Sequence, residues 1–282
     1  MTKVLFATDG NTPADSALAL VEKFARREGV EIDVLAVKRE RAPIDVSRAT
    51  IETAGAAVQR AREAGFQAKA HVQVGVPAKE IVDMATDLRS DFIVMGAGNH
   101  AWYDRLLLGS QSTRVLHEAP CSVIIAHEPP LLDTAPILLG ADGSNDSTFA
   151  LEAMCELLDP ATCEITVLGV ARVPYPTFAG GPGIAYATTA FSEEAQAEFT
   201  VEARRHTEQA VRRLQEEGFQ AKPKWTLGSP GLRLLEEAES MNAHLVVVGS
   251  RGLGPIDRWV MGSVSDKMAR HARASLIARR RP

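Results

Sequence analysis

The stretch 245-LVVVGSRGLGPIDRWVMGSVSDKMARHA-272 sets the reading of the whole chain. Leu245 to Val248 are four consecutive apolar residues, the pattern of a strand buried on both faces of a parallel sheet. Gly249 ends the strand, nine residues follow Gly252, and Gly262-Ser263 opens a helix. Strand, glycine-rich loop and helix N-terminus together make an anion site. Glycine lets backbone approach an anion without a Cβ, and the first helical N–H groups point outward unpaired. The helix end contributes about 0.3–1 kcal/mol toward a bound anion, and Ser263 reads as its N-cap and a hydroxyl donor.

Neither common nucleotide fingerprint is present. The chain has no GxxxxGK[ST] and no GxGxxG after its first strand, which argues against a Walker-type NTPase and a dinucleotide fold. What stands here is Gly249-x2-Gly252-x9-Gly262-Ser263, continuing into Val264 and Ser265. This spacing resembles the ATP-binding motif of the universal stress protein family, G-2x-G-9x-G-[S/T].

The surrounding sequence is duplicated. Val4-Leu5-Phe6-Ala7-Thr8-Asp9-Gly10 returns as Ile137-Leu138-Leu139-Gly140-Ala141-Asp142-Gly143, a shift of 133. Gly65-Phe66-Gln67-Ala68-Lys69 returns unchanged as Gly218-Phe219-Gln220-Ala221-Lys222, a shift of 153. Gly75-x-Pro77 maps to Gly228-x-Pro230, Asp91–Gly96 to His244–Gly249, and Gly109-Ser110 to Gly262-Ser263. The growth in shift reflects about twenty extra residues after the second strand of the second copy. The uncharged segment Val173–Ser192 falls there and reads as a lid or a surface insertion. A proline-bearing linker, 127-HEPPLLDTAP-136, separates domains over 1–130 and 135–282.

Each copy alternates strands with helices. The first reads as helix 14–27 capped by Thr12 or Asp15, strand 32–37, helix 47–64, strand 68–74 and helix 77–88. Strand 92–95, helix 110–118 and strand 122–126 follow. The periodicity gives an α/β fold with a parallel sheet between helical layers. The family resemblance implies more: two tandem Rossmann-like domains of the adenine nucleotide alpha hydrolase-like kind, each a five-stranded parallel sheet of order 3-2-1-4-5. Ligands of such sheets lie where the strand order reverses, between strands 1 and 4. The final apolar strands would be sheet edges that need covering. The resemblance suggests that they pair with each other as an internal pseudo-dimer, with a homodimer of chains also open.

The resemblance implies that an acidic residue after strand 1 meets the ribose or adenine, main chain near the end of strand 2 meets the base, and the glycine loop holds the phosphates. In the second copy those roles fall on Asp142, Val170, Gly249, Gly252, Gly262, Ser263, Val264 and Ser265. In the first they fall on Asp9, Val37, Gly96, Gly109, Ser110 and Ser112. The first copy departs from the motif: Asn99 replaces the second glycine, with Gly98 one place earlier, and Gln111 replaces the valine after Gly-Ser. The complete motif makes the second copy the expected principal site, with Gly262→Val expected to remove most ATP binding. Asp142-Gly143 also fits plain turn chemistry. Arg105 and Arg258 recur at one loop position, as do Asp104 and Asp257. They read either as phosphate and magnesium contacts or as local ion pairs. Trp102 and Trp259 read as packing residues.

Composition narrows the function classes. A net charge of −5 without a basic domain argues against nucleic acid, and no apolar run approaches the length of a membrane span. The N-terminus enters a strand directly, unlike a signal peptide, and three cysteines without CxxC spacing suit reduced thiols in a cytoplasm. No nucleophile–base set stands beside the loop, and His206 and His271 lack ligand partners at helical spacing. The function that the resemblance implies is an ATP-binding stress-response regulator, the ATP arriving with or without magnesium. Alternatives are a slow ATPase or self-phosphorylating protein using Ser263 or Ser265, and an interaction module that binds no nucleotide.

Overall fold

The computed structural model describes residues 1–40, 44–98, 108–130, 132–171, 193–251 and 261–279. The first repeat comprises β1 (Thr2–Thr8), α1 (Thr12–Phe24), β2 (Val30–Lys38), α2 (Ile44–Glu63), β3 (Gln67–Val74), α3 (Pro77–Asp87), β4 (Phe92–Gly96), α4 (Ser110–Glu118) and β5 (Ser122–Ala126). The second comprises β6 (Ala135–Gly140), α5 (Asn145–Leu157), β7 (Cys163–Ala171), α6 (Glu193–Glu216), β8 (Gln220–Leu227), α7 (Pro230–Ser240), β9 (Leu245–Gly249), α8 (Ser263–His271) and β10 (Ala274–Ala278). The α/β class and the strand–helix alternation are those expected from the sequence.

The strands among the described residues lie in one sheet of order β3-β2-β1-β4-β5-β10-β9-β6-β7-β8. Within each repeat the order is 3-2-1-4-5 and every pairing is parallel. The sheet differs from two separate five-stranded sheets at its centre. There β5 and β10 pair antiparallel, from Ala274↔Ala126 to Ile277↔Val123, so neither apolar edge is left open. Helices α1, α2, α5 and α6 cover one face, around Phe6, Phe24, Ile137 and Val247. Helices α3, α4, α7 and α8 cover the other, around Leu5, Ile93, Leu138 and Val246. Central strands buried on both faces explain the unbroken apolar runs.

Two expectations for α1 fail. Its N-cap is Asn11, which makes no side-chain cap bond, and Thr12 and Asp15 lie inside the helix. It also stops at Phe24 rather than Arg27, because the next residues are taken by the other repeat. Ala25 forms an antiparallel bridge with Leu158, Arg26 N donates to Leu157 O at 2.9 Å, and Asp159 N donates to Phe24 O at 2.8 Å. A shift of 133 turns Phe24 and Arg26 into Leu157 and Asp159, so the two bonds are exchanged symmetrically. This seam runs beside the β5–β10 join and fixes the repeats relative to one another.

Candidate functional site

At the C-terminal ends of β1 and β4 the chain leaves toward opposite faces of the sheet, α1 on one and α4 on the other, which opens a crevice. In the first repeat that crevice is a cavity of about 470 Å³. It is lined by Asp9 and Asn11 after β1, Val37 and Arg39 at the end of β2, Gly96 and Gly98 after β4, and Gly109, Ser110 and Ser112 at the start of α4. All six residues picked from the first copy therefore meet around one space. Asn11, Pro13 and Arg39 join them without having been picked.

Asp9 and Asp142 both make the turn between strand and helix. Asp9 accepts from Asn11 N at 3.1 Å and from Asn11 Nδ2 at 2.8 Å, while Asp142 Oδ1 accepts from Ser144 N at 2.9 Å. The turn reading of Asp-Gly is thus correct, and for Asp9 it coexists with a place at the crevice. A carboxylate has about four acceptor sites, so these bonds leave capacity for a sugar hydroxyl.

The glycine loop is tied at both ends in the same way in each repeat. Gly109 N donates to Ala97 O at 2.8 Å, and Gly262 N donates to Ser250 O at 2.9 Å. Gly96 is required by crowding: a Cβ there would lie 2.5 Å from the carbonyl carbon of Pro13, as one on Gly249 would lie 2.6 Å from that of Asp146. In the first repeat the positive φ, +100°, falls on Gly98, one place before Asn99. The helical bonds begin with Thr113 N to Gly109 O and Asp266 N to Gly262 O. The amides of the three residues before each are the free donors of a helix start.

The serines divide. Gly109 and Gly262 are the N-caps, so Ser110 and Ser263 are first helical residues; the N-cap expected at Ser263 is corrected by one place. Both are exposed. Ser112 and Ser265 are 2% and 1% exposed. Ser112 Oγ donates to Gly96 O at 3.1 Å; Ser265 Oγ donates to Gly262 O at 2.8 Å and Ser250 O at 2.9 Å. Their protons hold the loop rather than reach into the crevice. Gln111, the departure from the motif, accepts from Ala78 N at 3.0 Å and so caps α3. Val37, Val170 and Val264 pack as half-buried residues against the core.

The second repeat differs at the loop entrance. Asp146 stands where the first repeat has Pro13, and Arg251 where it has Gly98. Asp146 Oδ2 accepts from Ser250 Oγ at 3.0 Å, Arg251 N at 3.1 Å and Arg251 Nε at 3.2 Å. An internal carboxylate thus already takes donors at the start of this loop. Arg251 also lies near Arg279, whose pKa is pushed down by burial first and by Arg251 second. Arg279 donates to Ala119 O at 2.9 Å and His117 O at 3.0 Å, satisfying the C-terminal end of α4 across the seam. Gly252 lies outside the described residues, as do Asn99, Trp102, Asp104, Arg105, Asp257, Arg258, Trp259 and segment 173–192. Among the described residues there is no His/Cys/Asp/Glu cluster that could hold a metal, and no helix long and apolar enough to cross a membrane.

A parallel α/β sheet used twice, its strand order reversing between the first and fourth strands of each repeat, defines a class of tandem-repeat α/β proteins. Within that class, residues 1–127 and 134–279 both match the Universal stress protein family. The chain is 32% identical over 133 residues to the universal stress protein YxiE of Bacillus subtilis, spanning 47% of this chain and 90% of that protein. It is 30% identical over 247 residues to a universal stress protein of Mycobacterium tuberculosis, spanning 84% of this chain and 77% of the other. The crystal structure of a universal stress protein from Archaeoglobus fulgidus superposes with a TM-score of 0.71 at 22% identity, covering 99% of this chain and 98% of that one, and so shares its fold. The chain belongs to the universal stress protein family, as a tandem of two family repeats.

Proposed function

We propose that the protein is an adenine-nucleotide-binding stress-response regulator whose first-repeat crevice is its more accessible site. One observation carries this reading: the cavity of about 470 Å³ in which Asp9, Val37, Gly96, Gly109, Ser110 and Ser112 converge. Its volume falls within the roughly 300–1,000 Å³ usual for small-molecule sites. Asp9 would accept from the ribose, the backbone by Val37 would meet the base, and the free amides at the start of α4 would meet the phosphates. Arg39, on the rim, adds a positive charge. The expectation that the second copy is the principal site is revised in this proposal, because Asp146 already occupies donors there.

The same reading takes residues 1–130 and 135–282 as two units that form an internal pseudo-dimer through β5 and β10, in a cytoplasmic protein. Chain pairing and magnesium remain parts of the proposal to be measured. For self-phosphorylation, the inward-turned hydroxyl of Ser265 points to Ser263 as the acceptor.

Calorimetry with ATP tests the nucleotide reading. We expect one stronger event per chain, abolished by Ser110→Glu and kept by Ser263→Glu. Absence of any ATP binding at millimolar concentration, which corresponds to about −4 kcal/mol, rejects it.

A further inference from the structure

A second cavity, of about 280 Å³, lies between α5 and α6 on the other face of the second repeat. Leu139, Ala141 and Leu151 line its apolar side, Ser147 and Thr148 face in from α5, and Arg205, His206 and Arg213 face in from α6. None of these belongs to the nucleotide motif.

The first repeat shows what the groove is in the absence of a cavity. By the repeat shifts, Thr148 corresponds to Asp15, Ser147 to Ala14, Arg205 to Glu52, His206 to Thr53 and Arg213 to Arg60. The packing confirms that alignment, since Thr53 stands over Gly10 as His206 stands over Gly143. In the first repeat Arg60 crosses the groove and bonds Asp15 Oδ1 at 3.1 Å and Glu22 Oε2 at 2.6 Å. The chain there supplies its own anion. In the second repeat Asp15 has become a threonine and Glu22 has become Cys155, while a second arginine has replaced Glu52. Arg213 keeps one acidic partner, Glu152 at 3.1 Å, and Arg205 uses one of its five donors on His206 Nε2 at 3.1 Å.

We propose that this groove is a binding site for a small phosphorylated molecule, whose phosphate takes the place that the Asp15 carboxylate has in the first repeat. Two guanidinium groups supply charge-assisted donors suited to a tetrahedral anion. The Ser147 hydroxyl, which donates to Gly140 O at 3.4 Å and accepts from Asp142 N at 3.3 Å, and the Thr148 hydroxyl, which donates to Ser144 O at 3.2 Å, are held by long bonds and turn readily toward it. The space far exceeds the roughly 30 Å³ of one water, so the ligand carries a carbon body that meets Leu139 and Leu151.

The test is calorimetry of the full chain with glycerol phosphate, with glycerol and with inorganic phosphate. Glycerol phosphate is expected to bind more tightly than inorganic phosphate, and glycerol not at all. Thr148→Asp, which offers Arg213 the first repeat's partner, should weaken binding at least tenfold, as should Arg205→Glu. Ser110→Glu should leave it unchanged, and Thr148→Asp should leave the ATP titration unchanged, so this site and the crevice fail independently. Unaltered glycerol phosphate affinity in both groove variants, or no binding by the unaltered protein, overturns the proposal. Unfolding midpoints equal to that of the unaltered chain establish that the variants are folded.

Discussion

The two crevices share one backbone and differ at its entrance. Each has an Asp-Gly turn after its first strand, a glycine forced by the crossing helix, and a loop closed by an amide-to-carbonyl bond of 2.8–2.9 Å. The first repeat breaks the glycine spacing, yet Pro13 and Gly98 place no charge at the loop entrance and the space is open. The second keeps the spacing, yet Asp146 sets a carboxylate on the Arg251 amide at the loop entrance. A complete motif and an accessible site are therefore separate properties. The motif records which backbone shape is possible, and one side chain on the facing helix, Asp146, engages Ser250 and Arg251 at the entrance while the amides at the start of α8 stay as free as those of α4.

The largest expected effect comes from closing the open crevice by charge alone. Ser110 is exposed, lines the cavity and is the first residue of α4. A glutamate there suits a helix N-terminus, so the fold should tolerate it, while repelling phosphate. Ser110→Glu should lower ATP affinity at least 100-fold, about 2.7 kcal/mol, and Ser263→Glu should change it less than threefold. Equal losses from both would mean that the crevices are equivalent and that Asp146 is irrelevant.

Next come changes at which the repeats should behave alike. Gly96→Ala and Gly249→Ala each drive a Cβ into helix backbone at 2.5 and 2.6 Å. Each should cost about 1–3 kcal/mol of stability, typical of overpacking, read from denaturant midpoints. A neutral result in either would show that the facing helix can retreat. A smaller effect separates the repeats again: Asp146→Ala frees Arg251 N and Ser250 Oγ, and should raise ATP affinity of the second crevice about tenfold, some 1.4 kcal/mol. Unchanged binding after Asp146→Ala would deny the carboxylate its blocking role.

Much of this was legible in the sequence, for identifiable reasons. Duplicated anchors and apolar runs such as Leu245–Val248 fixed the alternation of elements, since a strand buried on both faces has little compositional freedom. The convergence of Asp9, Gly96 and Ser110 followed from the strand order that the family resemblance implied. The end of α1 was not legible: its apolar spacing continues past Phe24, and only Leu158, far along the chain, draws Ala25 out of the helix. The direction of the Ser265 hydroxyl was equally hidden, because a buried serine and an anion-binding serine are the same letter. Asp146 did leave a signal. An acidic residue opposite a proline in otherwise matched segments marks the place where the copies diverge.

The smallest predicted effect concerns the seam. His244 is 4% exposed, lies with its ring 6.0 Å from that of Phe24, and has Nδ1 without a hydrogen-bond partner. Its counterpart in the first repeat is Asp91, whose carboxylate accepts from Lys3 N at 2.8 Å. Burial first, then Arg273 and Lys23, hold the His244 pKa below the ordinary histidine value. His127, donating to Ala269 O at 2.9 Å across the same seam, is lowered mainly by burial. Glu128 pairs with Arg273 at 3.5 Å and Asp133 with Lys23 at 3.2 Å, so the nearby acids are already engaged by the cations. A depressed folded-state pKa means that the unfolded chain binds protons first as pH falls below about 6.5. Stability contributed by neutral His244 and His127 is therefore present above that pH and lost from about 6.5 down toward the folded pKa values, by at most about 1.4 kcal/mol per pH unit for each group. The denaturant midpoint should accordingly fall between pH 7.5 and 5.5, and fall less in His244→Phe. An identical slope in that variant would place the acid sensitivity elsewhere than at the seam.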